Sequence, residues 1–306
     1  MRKPRALSPG DRIAIVAPAS PVARDEFDRG IAELQRLGFV LVFDETVFAK
    51  ESGYLAGTAA ARATSFMTHW TDPAVSALLA ARGGFGSVHM LPLLDRARIV
   101  ERPKLFVGYS DNTSLLSWLT CHCGVTALHG PMLEGRLAGG AGYDRRSFME
   151  LASGGRGLVL SPEGMTVVRD GDATGPLFGG TITNLVASLG TPFAFDPPDG
   201  CVLFLEDVNE RPFRVDRMLT QLRLSGVLGR ARALVFGEMR GCDEPGGAVT
   251  ALEVITRLTG EGAGPVIVGF PSGHTTGPTW TLPLGVTVRV STRPRPTVLI
   301  EESPVE

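Results

Sequence analysis

From residue 13 to about residue 120, short apolar runs alternate with amphipathic stretches, and this rhythm leaves few folds open to the chain. Ile13-Ala14-Ile15-Val16 reads as a buried strand, and residues 25–37, with Phe27, Ile31 and Leu34 at helical spacing, read as the helix that follows. The pattern predicts a strand over 39–43, a helix over 58–70, a strand over 75–80, a helix near 88–94, a strand over 105–108 and a helix over 113–120. Strands that alternate with helices favour a mostly parallel sheet, so the first half is expected to be a Rossmann-like, doubly wound α/β unit.

Between about residues 135 and 176 the chain turns glycine-rich, as in Gly139-Gly140-Ala141-Gly142 and Ser153-Gly154-Gly155-Arg156-Gly157, and the rhythm is lost. A chain of 306 residues exceeds the usual size of one core, so this stretch marks the expected boundary. We expect an N-terminal domain over 1–135, a Gly-rich linker region over 136–175 and a smaller, β-rich mixed domain over 176–306. In that second half, strands are read at 202–205, 233–236 and 266–270, a helix at 215–224, and β-branched runs at 286–290 and 298–300.

Thirty basic residues against 32 acidic ones give a formal charge of -2, and no basic run is interleaved with aromatics, so nucleic acid is not an expected partner. The basic start Met1-Arg2-Lys3-Pro4-Arg5 is followed by Pro9, Gly10, Asp11 and Arg12 rather than an apolar stretch, which reads as no export signal and a cytoplasmic address. Nor does any stretch approach the roughly 18 apolar residues of a membrane span. Four cysteines are too few for a disulfide framework, and Cys121-His122-Cys123 lacks a second pair at zinc-site spacing, so no metal is expected.

Ligands of open α/β sheets collect beyond the carboxyl ends of strands, and three such places carry polar residues. In Leu105-Phe106-Val107-Gly108-Tyr109-Ser110-Asp111-Asn112 a strand ends on a serine as a helix begins. That order resembles a nucleophile elbow with Asn112 in place of the second glycine, and a helix cap is the plainer reading of Ser110. Cys201-Val202-Leu203-Phe204-Leu205-Glu206-Asp207 ends on two acids, either of which can orient a histidine or cap a helix, and Glu238 stands similarly after another strand. In Val266-Ile267-Val268-Gly269-Phe270-Pro271-Ser272-Gly273-His274 a histidine sits on a Gly- and Pro-flanked loop suited to a general base, with His129 its competitor. Gly83-Gly84-Phe85-Gly86 lacks nucleotide-binding spacing, but its backbone N–H groups suit an oxyanion.

Taken in order, these segments resemble the L,D-carboxypeptidase family of serine peptidases, which includes muramoyltetrapeptide carboxypeptidases and microcin C self-immunity peptidases. The resemblance runs from Gly10-Asp11-Arg12-Ile13-Ala14-Ile15-Val16-Ala17-Pro18-Ala19-Ser20 through Arg82-Gly83-Gly84-Phe85-Gly86, Gly108-Tyr109-Ser110-Asp111 and Leu205-Glu206-Asp207-Val208 to Arg214-Val215-Asp216-Arg217 and Gly273-His274 with Leu282-Pro283-Leu284-Gly285. It implies a triad of Ser110, Glu206 and His274, an oxyanion site at the N–H groups of Asp111 and Gly84, no cofactor, and a homodimer. It chooses Glu206 over Glu238, and Phe85 departs from the tyrosine frequent in that turn. The implied activity is hydrolysis of the bond before a terminal D-amino acid in cytoplasmic murein tetrapeptides, in peptidoglycan recycling. Two alternatives stand beside it: cleavage of aminoacyl-nucleotide conjugates, and a non-catalytic small-ligand binding module. Arg82 and Arg211 are candidates for holding a substrate carboxylate, and Trp280 for stacking on a nucleobase.

Overall fold

The computed structural model describes residues 1–306 and contains two sheets. In the first, strands Val40–Val42, Arg12–Val16, Ala77–Ala80, Leu105–Gly108 and Ala127–His129 lie side by side and parallel. Helices Arg24–Arg36 and Ala59–Thr71 fill two of the crossovers, as the alternating pattern requires. The third apolar stretch of the pattern forms a 3-10 helix, Ser87–Leu93, rather than an α-helix, with Pro92 inside it. The helix after the fourth strand runs Thr113–Ser117 and then loosens into a π turn over Trp118–His122.

The second sheet has eight strands, in the order Leu158–Leu160, Thr297–Ile300, Thr287–Ser291, Asp172–Thr181, Cys201–Glu206, Ala231–Gly237, Val266–Phe270 and Thr166–Arg169. Its four inner strands from Asp172–Thr181 to Val266–Phe270 are parallel, and its outer pairings are antiparallel. Helices Ile182–Ser188, Pro212–Leu224 and Ala251–Thr259 contribute to the core on one side of it. No helix is long and apolar enough to cross a membrane.

Two expectations need correction. The stretch 136–175 is not a plain linker: it holds helix Arg145–Ala152 and strands Leu158–Leu160 and Thr166–Arg169, both of which join the second sheet. Its glycines punctuate these short elements and hide their periodicity. Second, Leu282–Leu284 leaves the C-terminal half to pair antiparallel with Ala127–His129 at the edge of the first sheet.

The way the second sheet is buried explains how the halves meet. Along strand Cys201–Glu206, Val202 and Phe204 belong to a large core shared with the first sheet, whereas Cys201, Leu203 and Leu205 belong to a smaller core under the helices. Side chains alternate across a strand, so Glu206 shares the parity of Val202 and Phe204 and faces the first sheet. The same parity sends its neighbour Asp207 the other way.

Candidate active site

Strand Leu105–Gly108 ends at Tyr109, and Ser110 follows with φ 61, a left-handed value that a non-glycine residue rarely holds. Strain of this kind persists only where the surroundings over-determine it. Here Gly83 closes in from the neighbouring strand end: a Cβ on Gly83 would lie 2.8 Å from the Ser110 Cβ. Asn112, at the position where an elbow has its second glycine, donates its amide to the carbonyls of Arg82 at 3.1 Å and Tyr109 at 3.2 Å. It therefore ties the serine turn to the glycine turn.

His274 stands between the serine and an acid. Its Nε2 is 3.1 Å from the Ser110 hydroxyl, and its Nδ1 is 2.8 Å from Glu206 Oε2. Glu206 is buried, and its other oxygen accepts the Thr181 hydroxyl at 2.5 Å. Burial works to raise the Glu206 pKa, but the hydrogen bond and charge of His274, the nearby His129 and the Thr181 hydroxyl outweigh it, so the carboxyl lies below its ordinary range. Such a carboxylate holds a histidine in the tautomer that presents a bare Nε2 to a hydroxyl, and it stabilises the imidazolium that forms.

The loop that carries His274 is fastened from three directions. Thr279 Oγ1 accepts the Gly273 N–H at 2.9 Å. Arg136 donates to the carbonyls of Gly273, Thr275 and Gly277 at 2.9 to 3.0 Å. Glu238 accepts the N–H and hydroxyl of Thr276 at 2.8 and 2.9 Å. Glu238 thus braces the loop and makes no bond to the imidazole. Arg136, a positioning residue, was not legible in the sequence, because it lies in the glycine-rich stretch with no motif around it.

The competitor His129 is fully buried behind the site, with Nδ1 at 2.9 Å from the Ser272 hydroxyl and its ring edge-on to Phe204. Burial depresses its pKa to about 4, so it is neutral and packed rather than placed against Ser110. Asp207 accepts the N–H and hydroxyl of Thr183 at 2.9 and 2.8 Å and so caps the start of helix Ile182–Ser188. Burial raises its pKa to about 6.

Gly84 and Asp111 line one cavity beside Ser110. The Asp111 carboxylate accepts the Ser87 N–H at 2.8 Å, and the Ser87 hydroxyl donates to the Asp111 carbonyl at 2.6 Å. Burial raises the Asp111 pKa against these bonds. Of the candidate carboxylate holders, Arg82 leans on Glu134 at 3.4 Å and on the Pro21 carbonyl, while Arg211 pairs with Glu244 at 2.6 Å. Both are partly exposed. Trp280 is half-buried, packs against the large core and donates its backbone N–H to Pro271, so much of its ring is structural.

A serine on a strained turn, a histidine at hydrogen-bond distance and a buried acid behind it form the constellation of a serine hydrolase, here assembled across two α/β sheets. Residues 13–130 match the LD-carboxypeptidase N-terminal domain and residues 174–290 the LD-carboxypeptidase C-terminal domain, and the chain belongs to this family of serine peptidases. A probable murein peptide carboxypeptidase of Bacillus subtilis is 31% identical, with 97% of this chain and 94% of that one covered. The microcin C7 self-immunity protein MccF of Escherichia coli is 28% identical, with 93% of this chain and 91% of that one covered. A structure of MccF in complex with glutamyl sulfamoyl guanosine covers 99% of both chains with a TM-score of 0.89 at 25% identity. The muramoyltetrapeptide carboxypeptidase of Oxalobacter formigenes has a TM-score of 0.83 at 30% identity, covering 96% of this chain and all of that one.

Proposed function

We propose that the chain hydrolyses the L,D-peptide bond before the terminal D-amino acid of a murein tetrapeptide, with Ser110 as nucleophile, His274 as general base and Glu206 as the acid that orients it. The observation that carries this reading is the continuous relay from Ser110 Oγ through His274 to Glu206, at 3.1 and 2.8 Å.

In the first half-reaction His274 Nε2 takes the Ser110 proton as Oγ adds to the scissile carbonyl. The N–H groups of Asp111 and Gly84 receive the oxyanion. Collapse of the tetrahedral adduct passes the proton to the departing D-amino acid and leaves an acyl-enzyme. Water, activated by the same imidazole, then releases the acyl chain. Glu206 stays ionised throughout. Every step is taken by a residue of the chain, and no cofactor or metal is asked for. A role in peptidoglycan recycling, a cytoplasmic site of action and a homodimeric state belong to this reading, as does a substrate carboxylate held by Arg82 or Arg211.

The second reading is cleavage of aminoacyl-nucleotide conjugates, favoured by the likeness to MccF over almost the whole chain. The shared constellation reads only the scissile carbonyl and does not discriminate. A side-by-side assay by mass spectrometry of a murein tetrapeptide and an aminoacyl sulfamoyl adenosine separates them. Release of terminal D-alanine is the expected result. Efficient cleavage of the nucleotide conjugate with the tetrapeptide untouched would reverse the ranking and bring Trp280 forward as a stacking surface.

A further inference from the structure

Ser110 follows strand Leu105–Gly108 of the first sheet and Glu206 ends strand Cys201–Glu206 of the second, so their separation depends on how the two sheets meet. His274 touches both, but it is carried on the loop after strand Val266–Phe270. A separation held only through that imidazole would drift with every movement of its loop, and a displacement of about 1 Å is enough to cost much of an enzyme's turnover.

A second link joins the two residues without His274. Strand Asp172–Thr181 runs parallel to Cys201–Glu206, and their last residues are register partners, Thr181 beside Glu206. Partners on adjacent strands put their side chains on the same face of the sheet. The Thr181 hydroxyl accordingly donates to Glu206 Oε1 at 2.5 Å, the oxygen that His274 leaves free. On its other side Thr181 has no strand to pair with, because the ladder with Thr287–Ser291 ends at Pro176. The start of helix Thr113–Ser117 takes that place, and the Thr181 N–H donates to Thr113 Oγ1 at 3.1 Å. Thr113 stands three residues after Ser110.

The sequence makes room for this contact. Gly180 has φ +144, and a Cβ on it would lie 2.7 Å from both Oγ1 and Cγ2 of Thr113, so a larger residue would push the strand off the helix. Thr183 pins the same turn from beyond, through its bonds to Asp207 at 2.9 and 2.8 Å. Thr113, Thr181 and Glu206 are all buried, which keeps water from competing for the bonds between them. No lysine or arginine pairs with Glu206: its donors are His274 and Thr181. The Thr181 hydroxyl therefore keeps Oε1 from being a buried, unpaired acceptor.

We infer that Thr181 is a positioning residue for the hydrolysis: it ties the Glu206 carboxylate to the helix that begins beside Ser110, so that nucleophile and acid are set against each other independently of the imidazole. This rests on the proposed roles of Ser110, His274 and Glu206. The bonds form a closed circuit, from Ser110 Oγ to His274 at 3.1 Å, His274 to Glu206 at 2.8 Å, Glu206 to Thr181 at 2.5 Å and Thr181 to Thr113 at 3.1 Å, and back to Ser110 along the chain. Held at both oxygens, the carboxylate cannot swing away from His274 Nδ1 without leaving Thr181 as well. Thr181 touches no reacting atom and acts through Glu206.

The test uses Thr181→Val, which keeps the size and the backbone N–H but loses the hydroxyl, and Thr181→Ser, which keeps both N–H and hydroxyl. Steady-state kinetics are measured on whichever of the murein tetrapeptide and the aminoacyl sulfamoyl adenosine is cleaved. In Thr181→Val kcat is expected to fall about tenfold with KM within a factor of two, the scale of a lost bond to a buried charge. Thr181→Ser recovers most of that loss. Added to Glu206→Gln, Thr181→Val should cost less than about twofold, because the charge that the hydroxyl serves is gone. An unchanged kcat in Thr181→Val, an equal loss in Thr181→Ser, or an undiminished loss on top of Glu206→Gln overturns the inference and leaves the triad in place. Thr113→Val is a second probe, which strips the acceptor from the Thr181 N–H, leaves the Thr181 hydroxyl intact and decides the matter if Thr181→Val does not fold. Labelling of Ser110 by a fluorophosphonate should slow at least about threefold in it, and labelling at the unmodified rate overturns the tie to the helix. If the unmodified protein takes no label at Ser110 and cleaves neither substrate, the triad reading itself fails and the role of Thr181 falls with it.

Discussion

Glu206 Oε2 accepts two hydrogen bonds from His274, one from the ring Nδ1 at 2.8 Å and one from its backbone N–H at 3.1 Å. One oxygen thus fixes both the tautomer of the proposed base and the position of the loop that carries it. Ser110→Ala and His274→Ala are each expected to lower kcat by roughly 10^4 to 10^6, with little further loss in the double variant, because the two act as a unit. Glu206→Gln keeps an acceptor oxygen but loses the charge, and its loss is expected to be smaller, roughly 10^2 to 10^4. Steady-state kinetics on the cleaved substrate check this. A damaging Glu238→Gln beside a silent Glu206→Gln would show that the orienting acid is misassigned.

The paired bonds between Ser87 and Asp111 join the glycine turn to the residue after the proposed nucleophile. Both proposed oxyanion donors depend on that junction, since Gly84 belongs to one turn and Asp111 to the other. Ser87→Ala removes the hydroxyl that holds the Asp111 carbonyl. We expect kcat to fall about tenfold, the scale of a displaced oxyanion donor only partly lost, with KM within a factor of two. A change in KM alone would assign the pair to substrate binding instead.

Gly273 is one of the positions where glycine is required. It has φ +82, and a Cβ there would lie 2.8 Å from Glu206 Oε2 and 3.0 Å from the His129 ring. Gly273→Ala therefore combines backbone strain with a steric push on the acid. A loss of activity of at least 10^2 is expected, since displacing a catalytic group by about 1 Å costs that much. Labelling by a fluorophosphonate probe should slow in parallel. Full activity in this variant would mean that the Glu206 contact is slack.

The first sheet was legible because its strands are buried on both faces and read as continuous apolar runs, Ile13 to Val16 and Leu105 to Val107 among them. The strand-end rule then found Ser110, Glu206 and His274 as positions, but it left Glu206, Asp207 and Glu238 as rivals. Strand parity separates the first two: Glu206 follows Phe204 toward the shared core. Glu238 is set apart from Glu206 only by a tertiary contact, its bond to Thr276, which no local pattern signals. Strands Leu158–Leu160, Thr166–Arg169 and Leu282–Leu284 were missed because they are three or four residues long and, in the first two cases, set among glycines. Helix Ala251–Thr259, by contrast, carries a local signal in the sequence, the capping box of Thr250 and Glu253.

Two buried groups near the site give stability opposite responses to pH. His129 titrates near 4 in the fold against an ordinary value of 6.5, because burial disfavours its cation. As pH falls from 6.5 toward 4 the unfolded chain gains a proton that the fold refuses, so this contribution to stability is present above pH 6.5 and is lost on acidification. Asp207 titrates near 6 against 3.8, because burial disfavours its anion. Between pH 3.8 and 6 the fold keeps a proton that the unfolded chain releases, so stability falls as pH rises through that window. Each shift corresponds to a change on the order of 3 kcal/mol at 1.36 kcal/mol per unit, and between pH 4 and 6 they largely cancel in the unmodified chain. Substitution exposes each one. Asp207→Asn, which can still accept from Thr183, should gain stability relative to the unmodified protein on going from pH 4 to pH 7, whereas His129→Gln should gain on going from pH 7 to pH 4. Chemical denaturation of the three proteins at both pH values measures the difference directly. If both variants tracked the unmodified protein in parallel, neither group would carry the shift that its burial implies.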